Sequence, residues 1–289
     1  MQRKIVCPVT QKPAKFYCRK GSANYYIEKA SGIIFQGNLP ETDEMASYAD
    51  EEYENGLYAG YVAASNLKIL TFEKRIGKIE KLAKGKKLLD IGCSCGFFLE
   101  VALNHQFDAY GVEFSKAAIS YAKPHVQERI TCGDVNALSA GVKTSFDVIT
   151  GFDIIEHTKN PAELIDQVWQ TLAPGGVVVL STPDTGHWLR YIMGSRWPML
   201  QPMQHTVLLS RKAMHGLLTK AGFRDIQIET SRKVLTPDYL LSQIKDFNPS
   251  IFKVCTALLR LIPSRYRNKP IAINIGEFIA FARKPEKHD

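Results

Sequence analysis

No stretch of the sequence approaches the roughly 20 consecutive apolar residues of a membrane span. The first residues, Met1-Gln2-Arg3-Lys4-Ile5-Val6-Cys7-Pro8, have no long apolar core, so a secretory leader is not indicated and a cytoplasmic protein is expected. Six cysteines, at 7, 18, 93, 95, 132 and 255, show no disulfide-scaffold spacing, which leaves reduced thiols as the simpler expectation. An acidic excess is also missing: 37 Lys and Arg against 29 Asp and Glu give a formal charge of +8. That balance suits an RNA, membrane or anionic-substrate partner. The basic residues are diffuse, however, and no basic run is interleaved with aromatics, so a solvated surface is the favoured explanation. What is present is ordinary globular composition, 45% apolar and 23% charged, over a length that holds one large α/β domain with additions or two small domains.

Residues 1–40 read as short β-segments (16–18, 25–27 and 32–35), followed by an acidic, Tyr-rich stretch to about residue 60. From Asn66 to Lys84 apolar residues recur at helical spacing, and Gly85 stops the pattern. Strands and helices then alternate: strands at 87–91, 109–113, 129–132, 146–150 and 176–180, helices at 97–104, 116–122 and 162–172. This rhythm predicts an α/β fold with a Rossmann-like doubly wound sheet and ligands at the carboxyl ends of its strands. An irregular, aromatic and Met-rich segment, 184–210, interrupts it. A helix at 211–221, a strand at 225–229, a long insertion and a final strand at 277–282 complete the pattern. The expected division is a lobe at 1–40, a linker and leading helix at 41–86, and a domain at 87–289 with insertions at 184–210 and 231–275.

The chemistry gathers at strand ends. Leu89-Asp90-Ile91-Gly92-Cys93-Ser94-Cys95-Gly96 puts a glycine turn after a buried strand, where backbone approaches a ligand and a helix start offers free N–H groups. Ser94 and Phe97 occupy the second and third glycine positions of a dinucleotide fingerprint, so a pyrophosphate grip is poorly supported. Glu113 ends the second strand, where a carboxylate can accept from both ribose hydroxyls of NAD or of S-adenosylmethionine (SAM). Gly133-Asp134-Val135 ends the third strand, with an acceptor side chain and an N–H suited to an adenine edge. Gly151-Phe152-Asp153-Ile154-Ile155-Glu156-His157 follows the fourth, and Leu172-Ala173-Pro174-Gly175-Gly176 introduces the fifth.

Taken in order, these segments resemble class I SAM-dependent methyltransferases, especially the bacterial group that includes the ubiquinone-biosynthesis O-methyltransferases. The resemblance implies a seven-stranded sheet and SAM as cofactor. It places Asp90, Gly92, Cys93 and Gly96 around the methionine part and Glu113 on the ribose. Phe114 then lies beside the adenine, Asp134 and Val135 on its edge, and Phe152 at the donor site. Ser94 departs from the glycine many members carry. Relatives also begin with a zinc ribbon. Here Cys7-Pro8-Val9-Thr10 and Glu28-Lys29-Ala30-Ser31-Gly32 resemble its knuckles, but Thr10, Glu28 and Ser31 stand where cysteines should be, so a ribbon-like lobe without metal is expected.

Methyl transfer to a hydroxyl needs alignment and a base. His157 is the first candidate and His205 the second, each weighed against a packing or capping role. Asp153 completes the catalytic set. The Asp153-x-x-Glu156-His157 run is associated with a divalent metal in the ubiquinone-pathway relatives, and its residues are plausible ligands; the reading adopted is metal-free. The acceptor side is expected at 182–184 and through Arg190, Gly194, Trp197 and His205, with Tyr58 and Tyr61 able to close over SAM. The segment 251–269 can lie on a membrane surface, though packing across the acceptor pocket is favoured. The expected function is methylation, at oxygen, of a small-molecule or glycan-type acceptor. An RNA methyltransferase and an inactive SAM-binding protein are the alternatives; nucleic acid is disfavoured by the absence of an Asn/Asp-Pro-Pro-aromatic motif and of an RNA module. The sequence does not specify the oligomeric state.

Overall fold

Neighbouring apolar residues along each central strand face opposite ways, and that alternation builds a sheet covered on both sides. The computed structural model describes residues 5–38, 62, 64–138, 145–202, 204–241, 256, 259 and 262–286. Its larger sheet has seven strands: β4 (Lys87–Ile91), β5 (Asp108–Glu113), β6 (Ile130–Cys132), β7 (Phe146–Phe152), β8 (Leu172–Pro183), β10 (Arg224–Leu235) and β11 (Ile271–Arg283). Their spatial order is β10-β11-β8-β7-β4-β5-β6. Pairing from β6 across to β8 is parallel, and β11 is antiparallel to both β8 and β10. Leu88, Val148, Val179 and Ile279 face one core, which Ile76 and Ile79 of helix α1 (Ser65–Leu82) and Phe98 of α2 (Phe97–Asn104) complete. Leu89, Ile149, Leu180 and Phe278 face the other, filled by α5 (Pro161–Thr171) and α6 (Arg211–Lys220). The short α3 (Lys116–Ser120) and α4 (Pro124–Gln127) link β5 to β6. The seven-stranded, Rossmann-like expectation is therefore met.

The strands at the β8 edge are longer than the sequence pattern suggested. β10 runs on to Leu235 and β11 begins at Ile271, so both ends of the expected 231–275 insertion are strand. There Lys233 pairs with Ile273 and Leu235 with Ile271, beyond the Glu277–Pro183 pairing that marks the start of contact with β8. A two-stranded ribbon with polar residues carries no continuous apolar run, which is why periodicity missed it.

The smaller sheet is antiparallel, with order β1-β2-β3-β9. β1 (Lys15–Lys20), β2 (Ala23–Glu28) and β3 (Ile33–Gln36) come from the N-terminal segment, and β9 (Val207–Leu208) from the 184–210 segment. Trp197 and Leu200 of that segment pack with Tyr25, Ile34 and Leu208. On the opposite side Cys7, Ile33 and Phe35 join the core of the large sheet. Glu28 caps its knuckle turn, accepting from the N–H groups of Ala30 and Ser31 at 2.8 and 2.9 Å, a role a cysteine thiolate could also play. The acidic stretch with Tyr58 and Tyr61, and residues 251–255, lie outside the described residues. Among the described residues no helix is long and apolar enough to cross a membrane.

Candidate active site

A cavity of about 960 Å³ opens at the carboxyl ends of β4, β5 and β7. Its first half is built by the turn after β4. Gly92 has φ +69°, and a methyl placed on it would come within 2.6 Å of Ile154 Cδ1, so only glycine keeps this wall open. Ser94 follows in the left-handed region at φ +52° and aims its N–H at Glu113 Oε2 (2.9 Å), while the Ser115 N–H donates to Oε1 (2.9 Å). These two hydrogen bonds fix the carboxylate at the cavity wall, where a carboxylate can accept from a vicinal diol such as that of a ribose. Phe114 stands out at 66% exposure beside it and lines the cavity instead of joining the core. Asp134 caps the turn at Val135–Ala137, accepting from the Asn136 N–H at 2.9 Å, and borders the same end with Val135.

Asp90 lies at the base of this half. Burial, reinforced by the nearby Glu113 charge, raises its carboxyl from 3.8 to about 7, against a hydrogen bond from Thr150 Oγ1 at 2.6 Å. A buried acid in that state fits the ammonium group of an amino acid. Phe152 closes the wall, edge-on to Phe98 at 4.8 Å and under the Arg75 guanidinium at 4.9 Å. These features fit SAM: a diol seat, an ammonium partner and a glycine-walled passage between them.

The second half holds the polar chemistry. Glu156 is buried and accepts from Thr182 Oγ1 at 2.9 Å; burial and the Asp153 charge push its carboxyl well above the usual range. The His157 ring donates to the Gln204 carbonyl, and His205 Nδ1 is paired with the Met199 carbonyl at 2.7 Å. The two rings meet edge to face at 4.9 Å. Burial lowers both imidazoles, to about 4 for His157 and about 3 for His205, so each is neutral near pH 7 with one nitrogen available as acceptor.

Donor atoms of Glu156, His157 and His205 lie within 4.8 Å of one another, a set whose two nitrogens and one oxygen suit a borderline divalent cation. Asp153 is not in that set. Its Oδ2 accepts from Lys233 Nζ at 2.8 Å and its Oδ1 from Ser181 Oγ at 3.0 Å, and the lysine holds the carboxyl far below the usual range. Asp153, placed with the catalytic set on sequence grounds, is thus held in an ion pair with Lys233 at the cavity wall.

Other expectations shift in detail. Gly96 is not in the cavity wall: it sits at φ +70° as the N-cap of α2, close against Val126. Cys93 borders the cavity but packs its side chain into the core against the bare face of Gly111. Of the expected acceptor run, Trp197 is core and Arg190 is buried with its Nε donating to the Thr185 carbonyl, whereas Met199, Gln201 and His205 reach the cavity. Sequence reasoning missed Lys68 and Arg75 on α1, Lys233 and Glu277. The available signal was a single Glu opening an otherwise apolar strand and two cations seven positions apart on one helix face.

The chain matches the family described as "Methyltransferase domain" over residues 63–228. It is 33% identical over 209 residues to a Ubiquinone biosynthesis O-methyltransferase of Psychrobacter arcticus, covering 68% of this chain and 78% of that one. A protein of the same name from Coxiella burnetii is 32% identical over 104 residues, 34% of this chain and 44% of its own length. Among solved structures, a SAM-dependent methyltransferase from Archaeoglobus fulgidus superposes with a TM-score of 0.51 at 17% identity, over 78% of this chain and 99% of that one. Family match, strand order and donor-half geometry agree: the chain belongs to the class I methyltransferase family and uses S-adenosylmethionine.

Proposed function

We propose that the protein methylates an oxygen of a small-molecule acceptor, with a glycan-type or aromatic alcohol as the acceptor class. The observation that carries this reading is the pair of neutral histidines, His157 and His205, lining the same cavity as the donor-binding turn. An amine acceptor is nucleophilic once neutral, whereas a hydroxyl needs its proton removed as the new bond forms. The names of the Psychrobacter and Coxiella relatives support the same choice. When bound, SAM supplies an electrophilic methyl group; the rest falls to the chain. Gly92, Ser94 and Glu113 fix the donor, the cavity excludes water, and His157 takes the hydroxyl proton on the nitrogen not bonded to Gln204. His205 keeps its neighbour's ring in place and is the second base candidate.

The test is transfer of label from methyl-tritiated SAM to catechol, methyl glucoside, benzylamine and RNA. Label in the alcohols, lost in His157→Gln, supports the reading. Label in benzylamine alone or RNA alone contradicts it, and SAH binding without transfer to any acceptor class would favour an inactive SAM-binding protein.

A further inference from the structure

The two candidate bases are held in place from the other end of the chain. Strand β3 ends in Gln36, an amide that closes the apolar run Ile33-Ile34-Phe35 and is 3% exposed. Burying an amide is costly unless its hydrogens are used. Gln36 Nε2 donates to the His205 carbonyl at 2.8 Å and also points at the Gln201 carbonyl, 3.5 Å away. Its backbone N–H donates to the Thr206 carbonyl at 2.9 Å, next to the Phe35–Val207 and Ile34–Leu208 pairing of β3 with β9. One residue of the small sheet therefore grips the chain at 205 and 206 with both its side chain and its backbone.

The grip passes on to His157. The Thr206 N–H donates to the Glu156 carbonyl at 2.8 Å and Thr206 Oγ1 to the Thr158 carbonyl at 2.7 Å, so the residues on either side of His157 are pinned. The His157 ring is bonded to the Gln204 carbonyl and meets the His205 ring edge to face at 4.9 Å. His205 Nδ1 is paired with the Met199 carbonyl, and the His205 N–H returns to the Gln201 carbonyl at 2.9 Å. The segment 199–206 thus carries a partner of each imidazole, and Gln36 ties that segment to the N-terminal lobe. Gln201, Gln204 and His205 line the cavity while Gln36 stands behind them, so its amide acts on the segment. Displacing a reacting group by as little as about 1 Å is enough to slow a reaction about 100-fold, which is what makes such a support matter to the rate.

We propose that Gln36 is a positioning residue for methyl transfer: its side-chain amide, supplied by the N-terminal lobe, holds His205 and through it the ring of His157 in the second half of the cavity. This inference rests on the reading of His157 as the base, and it gives the N-terminal lobe a part in the reaction.

The experiment compares wild type with Gln36→Met, which keeps the length of the side chain without its N–H, and with Gln36→Leu, each alone and combined with His157→Gln. Label transfer from methyl-tritiated SAM to catechol and methyl glucoside reads kcat and KM, and calorimetry reads affinity for S-adenosylhomocysteine (SAH). Ring resonances of His157 and His205, assigned from His157→Gln and His205→Gln, are followed by NMR in histidine-labelled protein. In each single variant kcat is expected to fall about 10- to 100-fold, with KM for the alcohol changed by under about 3-fold and SAH affinity by under about 2-fold. In the His157→Gln background the same substitutions should cost under about 2-fold, because the base they serve is gone. The His157 and His205 resonances should shift in Gln36→Met, while those of His105 and His215, engaged elsewhere with Glu73 and Thr219, stay in place. Equal losses in both backgrounds overturn the proposal, as do unmoved His157 and His205 resonances, which decide the matter even where neither alcohol is methylated. Loss of SAH binding in both Gln36 variants overturns it too, since Gln36 then supports the whole fold. Wild-type kcat in His157→Gln sinks the base reading itself, a failure the ring resonances distinguish from a failure of Gln36 to hold the two histidines.

Discussion

Asp90 and His205 carry opposite electrostatic debts, and each yields a measurable proton count. With its carboxyl raised to about 7, Asp90 is about half protonated at neutral pH, and its contribution to folding stability declines as pH rises from about 4 to 7. An ammonium docked against it favours the ionised form, so SAH binding at pH 7 is expected to release about half a proton from this group. Calorimetry in buffers of different ionisation enthalpy reads that number; proton uptake would contradict the assignment. His205 runs the other way. Its imidazole falls from 6.5 to about 3 on folding, so its contribution is fully present above pH 6.5 and is lost as pH drops through that window. Between pH 6 and 4, with chelator present, stability of the wild type should therefore fall more steeply than that of His205→Gln, by about 1.4 kcal/mol per pH unit. At His157 the same substitution is expected to lower kcat by about 10²- to 10⁴-fold with SAH affinity unchanged.

Among the elements, the segment 184–210 behaves as a strut between two sheets. Trp197 is 1% exposed against Tyr25 and Ile34, and the chain that follows it supplies both His205 and strand β9. Trp197→Ala should cost about 3–5 kcal/mol in chemical denaturation. It should also weaken acceptor more than SAH binding, because the donor half is built elsewhere. The turn after β4 gives a second test. Ser94 sits at φ +52°, where an L-residue is strained by roughly 1–2 kcal/mol, and glycine relieves that strain at an entropic cost of about 0.5–1 kcal/mol. Ser94→Gly should therefore leave melting temperature equal or slightly raised, with the Glu113 contact intact. The elements differ in how openly the sequence announces them. Leu88-Leu89 and Val177-Val178-Val179-Leu180 read as buried strands because both faces of the sheet are covered. The β10–β11 ribbon does not, since Ser231, Lys233 and Asn274 satisfy no apolar period, and Lys233 looks solvent-facing until β11 places Glu277 beside it.

For the molecule as a whole, the donor half was legible and the acceptor half was not, for a physical reason. The residues proposed to hold the donor lie at or just after the ends of consecutive strands, so Asp90, Gly92, Glu113 and Asp134 appear in chain order at recognisable spacing. The other half of the cavity is assembled from α1, the β7 turn, the strut and the last two strands, which lie up to about 200 positions apart, and only folding brings Lys68, Asp153, His205 and Glu277 to one wall. The small sheet follows the same logic, because β9 completes it from the middle of the chain. The central claim, that this wall and the β4 turn enclose a SAM site seated on Glu113, is tested most directly by calorimetric titration of SAH into wild type and Glu113→Ala. Saturable one-to-one binding in wild type, weakened about 100-fold or more in the variant through the loss of two charge-assisted hydrogen bonds, is the predicted result. No SAH binding to wild type, or equal affinity in Glu113→Ala, would contradict it.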